Sequence, residues 1–238
     1  MTTPSASPAS AATGAATTGP ARPDARMLER RRHAMVLELF ASRRVRNARI
    51  LGALRRVPRE VFLPEARWND AYDLDAGWPS IASMAMILEA ARLERWHRVL
   101  EAGTGDGYGT ALLLELGTEV FSIDTDAGSV RSAAGCLMRL GYEPAHLRDH
   151  DPREGWPEHG PFDAIVIPDV VDDVPTGVVA QLAPGGRLVA WMRRADGPAR
   201  LVVYARSESE DEFDLDYAVW HRVVPTTEHE GDDARGRP

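Results

Sequence analysis

Apolar positions near the start of the chain follow the period of an α-helix. Between Met27 and Leu54 they recur at spacings of three, four and seven residues, and Pro58 and Pro64 then interrupt the pattern. Such spacing puts the apolar side chains on one face, so it predicts two short amphipathic helices. A further helix is predicted over residues 81–93, just ahead of a change in the character of the sequence.

Short apolar runs alternate with helical stretches from Arg98 onwards. The predicted strands are 98–102, 119–123, 162–167 and 187–191, the predicted helices are 110–116, 127–140 and 175–182, and residues 182–188 are a predicted turn. Strands separated by helices of this length form βαβ units, which give a parallel sheet covered on both faces. The sequence therefore predicts a three-layer α/β sandwich with a mostly parallel sheet.

Both ends of the chain differ from this core. Residues 201–206 and 215–224 flank an acidic stretch and predict an antiparallel strand pair at one edge of the sheet. Twenty of the first 21 residues are Ala, Thr, Ser, Pro or Gly, so we expect a disordered tail over residues 1–26. A polar tail is expected over 226–238. We expect residues 27–225 to form one domain, with a helical N-terminal part at 27–97 and a core at 98–225.

Composition narrows the class of protein. Hydrophobic residues make up 44% of the chain and charged residues 27%, as in ordinary soluble globular proteins. No apolar run approaches the roughly 20 residues of a membrane-spanning helix, so no membrane partner is expected. A single cysteine, Cys136, cannot form an internal disulfide, which makes the cytoplasm the expected compartment.

The charge of the chain is unevenly distributed. A formal net charge of −8 argues against a nucleic acid partner held by a general positive field. Between Arg22 and Arg59, however, twelve arginines stand against three acids. We interpret this segment as a solvated helical face, and the alternative is a site for an anionic partner.

A glycine-rich turn carries the strongest chemical signal. Residues 99–108 read VLEAGTGDGY, so the first predicted core strand ends in Glu101 and enters a turn with Gly103, Gly105 and Gly107. Glycines let the backbone turn sharply and let a nucleotide approach closely. A dinucleotide fingerprint would need a third glycine where Tyr108 stands, which disfavours a dehydrogenase. An acid before the turn suits an ammonium-bearing ligand such as S-adenosylmethionine better than a pyrophosphate.

Two acids follow this turn at informative positions. Asp124 ends the next predicted strand, 19 residues after Gly105, where it can accept hydrogen bonds from ribose hydroxyls. Asp151, after the following helix, is placed to accept a hydrogen from an adenine amino group. Each acid alone is more often a loop residue or a helix cap. The order and spacing of the set favour a Rossmann-like methyltransferase.

From residue 27 to residue 225 the chain resembles the protein-L-isoaspartate O-methyltransferase family. The matching stretches are 57–64 (VPREVFLP) with 71–72 (AY), 98–108, 155–159 (GWPEH) with 162–165 (FDAI), 181–189 (QLAPGGRLV) and 223–225 (VVP). Methyltransferases in general share the glycine turn but not the VPREVFLP segment. The resemblance is therefore specific to this family.

The resemblance implies a class I methyltransferase fold and S-adenosyl-L-methionine as the cofactor. It also implies methylation of a side-chain carboxylate in a protein or peptide, in the family's role of repairing isoaspartyl sites. Carried over by position, the cofactor-binding residues are Glu101, Gly103, Thr104, Gly105 and Gly107 for the methionine portion, Asp124 for the ribose, Asp151 for the adenine, and Thr227 as a further contact.

The chain departs from the family where the acceptor would bind. The family carries a Gly-Gln-Thr-Ile-Ser element ahead of the cofactor strand, and here residues 77–84 read GWPSIASM. Ser80 and Ser83 are the candidate catalytic residues that replace its hydroxyls, with a helix N-cap as the alternative for either. Trp78 is interpreted either as a wall of the substrate cleft or as a packing residue. Asp169 adds a negative charge where the family has small residues.

Three functions stay open at this point. The first is isoaspartyl carboxyl methylation, which needs no general base because a carboxylate is already nucleophilic at neutral pH and only alignment is required. The second is an aspartyl methyltransferase for a dedicated peptide. The third is a cofactor-binding protein that has lost catalysis. The seven histidines show no metal-ligand spacing, so no metal is expected.

Overall fold

The computed structural model describes residues 23–77, 79–142, 145–195, 197–207 and 213–216. Its centre is a seven-stranded sheet in the order β3-β2-β1-β4-β5-β6-β7. The strands are β1 Arg98–Ala102, β2 Glu119–Asp124, β3 His146–Asp149, β4 Phe162–Val171, β5 Leu182–Arg194, β6 Gly197–Arg206 and β7 Phe213–Asp216. β1 to β5 run parallel, whereas β6 pairs antiparallel with both β5 and β7.

Six helices surround this sheet within the described ranges. They are α1 Ala25–Ala41, α2 Ala48–Arg56, α3 Ile81–Ala91, α4 Tyr108–Glu115, α5 Ala127–Arg139 and α6 Thr176–Val179, joined by 3-10 turns at Arg59–Phe62, Glu65–Asp70 and Pro157–His159. Of these helices, none is long and apolar enough to span a lipid bilayer.

Two hydrophobic layers lie on opposite faces of the sheet. In β1, Val99 belongs to the layer packed under α1 to α5, and its neighbour Leu100 belongs to the layer that includes Val178 of α6. Successive strand residues point to opposite faces, so the adjacent apolar residues Val99 and Leu100 of β1 supply one layer each. The predicted three-layer sandwich and mostly parallel sheet are confirmed.

Several predicted boundaries differ from the structure. β5 begins at Leu182, so the whole of the predicted turn at 182–188 lies inside a strand that pairs irregularly with β4. The predicted helix at 175–182 is only the four-residue α6. α1 begins at Ala25, inside the predicted tail, because the Asp24 side chain accepts a hydrogen bond from the Met27 N–H and caps the helix. The predicted C-terminal pair is confirmed for β6 and β7, and residues 217–225 lie outside the described ranges.

Arginines of the basic segment tie the N-terminal helices to the core. Arg49 donates to the carbonyl oxygens of Leu93 and Leu116 at 2.8 and 2.7 Å. Leu93 follows the C-cap of α3, and Leu116 is the C-cap of α4. Arg31 donates to the carbonyl oxygen of Asn69. The prediction of a solvated face is therefore wrong for these arginines, whereas Arg55 is exposed as expected.

Candidate functional site

The carboxyl end of β1 forms the floor of the candidate site. Gly103, Gly105 and Gly107 have φ angles of 122°, 53° and 89°, in the left-handed region that favours glycine. At Gly107 a Cβ atom would also lie 2.7 Å from the Cβ atom of Ala133 in α5. The turn can therefore keep its shape and its contact with α5 only with glycine at this position.

Glu101 is fully buried at the end of β1 and belongs to a chain of hydroxyl groups. Its Oε2 atom accepts hydrogen bonds from the hydroxyls of Thr110 and Ser122, the latter at 2.7 Å. The hydroxyl of Thr104 lies 2.7 Å from that of Ser122 and donates to it, since the Ser122 proton is already directed at Glu101. These hydrogen-bonded hydroxyls fix the position of Oε2 and thereby set the orientation of Oε1.

The second oxygen of Glu101, Oε1, has no hydrogen-bond partner among the described residues. Burial raises the pKa of Glu101 from 4.5 to about 8. The hydrogen bonds from Thr110 and Ser122 lower this pKa, whereas the negative charges of Asp106 and Asp124 raise it further. An unpartnered buried carboxylate oxygen is costly, and a cationic ligand group beside it would remove that cost.

Glu101 lines a crevice of about 230 Å³. Its walls come from the β1 turn, the start of α4, the end of β4 and the N-terminal segment. They consist of Arg59, Pro79, Met84, Glu101, Gly103, Thr104, Gly105, Asp106, Tyr108, Gly109, Pro168 and Asp169. Of the residues predicted from the sequence to bind the methionine portion, Glu101, Gly103, Thr104 and Gly105 thus share one cavity, whereas Gly107 is not among its lining residues.

Asp124 stands at the end of β2 beside this crevice. Its Oδ2 atom accepts the N–H of Gly105 and its Oδ1 atom accepts the N–H of Asp126, both at 2.9 Å. The carboxylate therefore holds the glycine turn while each oxygen keeps a further lone pair for a ligand. The carbonyl oxygen of Asp124 accepts the N–H of His150, which brings exposed Asp151 to the same edge of the sheet. Thr227 lies outside the described residues.

The structure does not bring the candidate catalytic serines into the crevice. Ser80 is the N-cap of α3, and its hydroxyl oxygen accepts the N–H of Ser83 at 3.1 Å. The Ser83 hydroxyl donates back to the Ser80 carbonyl oxygen at 2.8 Å. Both residues are 0% exposed, and their neighbours Pro79 and Met84 line the crevice instead. The helix-cap alternative is therefore what the structure shows. Trp78 lies outside the described residues.

Sequence reasoning missed several crevice residues. Arg59 is 9% exposed, and its guanidinium carbon lies 4.8 Å from the ring centroid of Tyr108. One of its guanidinium nitrogens lies 4.0 Å from a carboxylate oxygen of Asp106. The VPREVFLP stretch contains Arg59, but its pattern carries no sign that the arginine is buried. Gly109 was also missed, because a single glycine inside a helical pattern has many explanations.

Asp169 lies where the sequence predicted an added negative charge. Its carboxylate lines the crevice opposite Gly103, 3.5 Å from the place that a Cβ atom of that glycine would take. Partial desolvation there raises the pKa of Asp169, and the nearby charge of Asp124 adds to the rise.

Comparison with known proteins agrees with this geometry. Residues 30–231 match the family model of protein-L-isoaspartate(D-aspartate) O-methyltransferases. The protein-L-isoaspartate O-methyltransferase of Opitutus terrae is 44% identical over 165 residues, which cover 66% of this chain and 71% of that one. Protein-L-isoaspartate O-methyltransferase 1 of Rhodopseudomonas palustris strain HaA2 is 36% identical over 219 residues, 89% of each chain.

Solved structures share the fold at lower identity. A protein-L-isoaspartate O-methyltransferase superposes with a TM-score of 0.66 at 24% identity, over 78% of this chain and 63% of that chain. The Plasmodium falciparum enzyme described by the same name, solved with S-adenosyl-L-homocysteine, superposes with a TM-score of 0.64 at 16% identity, over 77% and 93%. Its class I methyltransferase fold is thus the fold of this chain. Because the family model spans most of the sequence, the chain belongs to the protein-L-isoaspartate O-methyltransferase family.

Proposed function

We propose that this protein uses S-adenosyl-L-methionine to methylate the free carboxylate of an isoaspartyl residue in a protein or peptide. The observation that carries the proposal is the buried Glu101, which lines the crevice beside the glycine turn and whose Oε1 has no partner among the described residues. A buried carboxyl group of this kind suits the ammonium group of the cofactor's methionine portion, which would favour its ionised form and supply the missing donor.

The residues of the crevice fit this cofactor. Glu101 would accept from its ammonium group, and the Gly103 to Gly107 turn, with Thr104, would lie against its methionine portion. Asp124 retains lone pairs for the two ribose hydroxyls, and Asp151 at the neighbouring strand end would accept from the adenine amino group. When bound, the cofactor supplies a methyl group carried on an electrophilic sulfonium.

The protein's remaining task is to align the acceptor. An isoaspartyl carboxylate is ionised at neutral pH and is a nucleophile without a general base. The crevice must therefore hold the carboxylate in line with the methyl group. Holding the two reacting groups in this geometry can by itself contribute a large part of the rate acceleration. The hydroxyls of Ser80 and Ser83 are engaged in the α3 cap and do not face this space.

Transfer of a labelled methyl group tests the proposal. The purified protein is incubated with labelled S-adenosyl-L-methionine and a peptide that contains one isoaspartyl residue, with the aspartyl isomer as the matched control. We expect label on the isoaspartyl peptide and its release as methanol in alkali, as an ester requires. Binding of S-adenosyl-L-homocysteine without transfer to either peptide would contradict carboxyl methylation and favour a cofactor-binding protein without catalysis.

A second function, methylation of an aspartyl residue in a dedicated peptide, is favoured by one observation. Asp169 lines the crevice where the family has small residues, so the acceptor meets a second carboxylate at this wall. Stronger labelling of the aspartyl isomer in the same assay would support this function over isoaspartyl repair.

A further inference from the structure

Arg59 is the only cationic residue among the described residues that line the crevice. The same walls carry three carboxyl groups, those of Glu101, Asp106 and Asp169. The ion pair of Arg59 with Asp106 is long, at 4.0 Å, and the Asp106 side chain is 37% exposed. The guanidinium therefore keeps most of its hydrogen-bonding capacity for another anion.

Tyr108 provides a second donor beside this guanidinium. Its ring lies under Arg59 at 4.8 Å and Tyr108 lines the crevice, while its buried hydroxyl has no hydrogen-bond partner among the described residues. Burial raises the pKa of Tyr108 far above neutrality, so the hydroxyl keeps its proton and acts as a donor. An unpaired hydroxyl in such a place is expensive unless a ligand accepts from it.

Packing holds both groups in place. The 3-10 turn Arg59–Phe62 carries the guanidinium, and the Phe62 ring packs edge to face on Tyr108 at a centroid distance of 5.8 Å. The hydroxyl is fixed because Tyr108 is 1% exposed and opens α4 directly after the glycine turn. Preorganised donors bind an anion without the cost of ordering flexible side chains.

We propose that Arg59 and Tyr108 form a carboxylate-binding subsite of the crevice. A guanidinium presents a planar pair of N–H donors that matches the two oxygens of a carboxylate, and a neutral tyrosine hydroxyl adds a third hydrogen bond. The inference rests on the proposed function, whose two ligands each bring a carboxylate. One belongs to the methionine portion of the cofactor, and the other is the acceptor.

The test compares Arg59→Gln, Arg59→Lys and Tyr108→Phe with the wild type and with Arg55→Lys. Arg55 is an exposed arginine four residues earlier, so its variant controls for general charge effects. Calorimetry measures the Kd of S-adenosyl-L-homocysteine and of its decarboxylated analogue, which keeps the amine. Steady-state assays measure the KM of the isoaspartyl peptide.

The two sources of carboxylate give different results. If the subsite holds the cofactor, Arg59→Gln raises the Kd of S-adenosyl-L-homocysteine about tenfold or more and leaves that of the decarboxylated analogue unchanged. If it holds the acceptor, the peptide KM rises by a similar factor while the Kd values stay constant. Tyr108→Phe acts in the same direction with a smaller effect, and Arg59→Lys falls between wild type and Arg59→Gln.

Unchanged Kd and KM values in folded variants would overturn the subsite. Folding is checked by circular dichroism, and because Tyr108→Phe removes one oxygen and keeps the ring, it decides the question if the Arg59 variants fail to fold. Wild-type protein that binds no S-adenosyl-L-homocysteine would instead refute the proposed function, so the two failures are distinguishable.

Discussion

Gly109 in α4 lies so close to Glu101 that a Cβ atom at residue 109 would overlap with the unpartnered Oε1 oxygen. The same atom would lie 3.0 Å from the terminal methyl of Met84. A glycine within a helix normally weakens it, so its presence here needs a reason. That reason is the space in front of the buried carboxylate, which only glycine leaves open.

Gly109→Ala is therefore expected to damage the site although alanine favours helices. The added methyl displaces Glu101 or fills the space before its Oε1, so S-adenosyl-L-homocysteine should bind about tenfold more weakly or worse. Gly135→Ala in α5 is the matched control, because a Cβ atom there meets no atom within 4 Å. That control should raise the free energy of unfolding by about 0.5 to 1 kcal/mol and leave binding unchanged. Full affinity in Gly109→Ala would refute this role.

Binding of S-adenosyl-L-homocysteine should release a proton at neutral pH. The pKa of Glu101 in the free protein is about 8, so at pH 7 this carboxyl group is mainly protonated. A ligand ammonium beside it favours the carboxylate, so the proton leaves and affinity rises as the pH approaches 8. Calorimetry at pH 7 in two buffers of different ionisation enthalpy measures the number of protons released per ligand bound. This number should approach about one for the wild type. In Glu101→Gln the heat should not depend on the buffer.

The stability of the free protein should fall as the pH rises through the same range. The folded-state pKa of Glu101 lies above its ordinary value of 4.5, so its favourable contribution is complete below about pH 4.5 and is lost by about pH 8. The loss attributable to this group is at most about 1.4 kcal/mol per pH unit. Urea denaturation should show the stability of Glu101→Gln rising relative to wild type from about pH 5 to about pH 8. A constant difference would mean that Glu101 titrates normally.

The sequence was sufficient to predict the sheet and the cofactor end of the site, for physical reasons. Adjacent apolar residues within a strand, such as Val99 and Leu100 in β1, and glycines at a turn reflect local requirements that any chain with this fold must meet. The carboxylates of Glu101 and Asp124 could be placed because the carboxyl ends of parallel strands meet at one edge. Their positions followed from topology alone.

The acceptor side could not be predicted in the same way. Arg59 lies over the ring of Tyr108, and Phe62 packs against the same ring, so both contacts link the Arg59–Phe62 turn to a residue far away in the chain. Ser80 is drawn away from the crevice by the local demand of a helix start for a capping acceptor, and the sequence shows only that a hydroxyl is present. Non-local packing and local helix capping together decide which polar residues face the cavity.

Arg49 should be important for stability rather than for binding. Its guanidinium satisfies the carbonyl oxygens of Leu93 and Leu116, which would otherwise lack a partner at the helix ends. Arg49→Lys cannot reach both oxygens and should lower the free energy of unfolding by about 1 to 3 kcal/mol. Arg55→Lys, an exposed change on the same helix, should alter it by less than about 0.5 kcal/mol. Equal denaturation midpoints for the two variants would show that the Arg49 bridge contributes nothing.

Ser80→Ala separates a structural serine from one that binds the acceptor. The Ser80 hydroxyl caps α3 through the Ser83 N–H and is buried away from the crevice, so its loss should cost about 1 kcal/mol of stability. Because α3 itself remains folded well below the midpoint of unfolding, kcat and the peptide KM should stay within about twofold of wild type. Ser80→Thr retains a capping hydroxyl and should be more stable than Ser80→Ala. Ser80→Asp also retains a capping oxygen, but it adds charge and volume in a buried position, so it should be less stable than Ser80→Thr. A tenfold higher peptide KM in fully folded Ser80→Ala would contradict this prediction. It would show that the hydroxyl binds the acceptor, because the loss of a helix cap does not by itself change peptide binding.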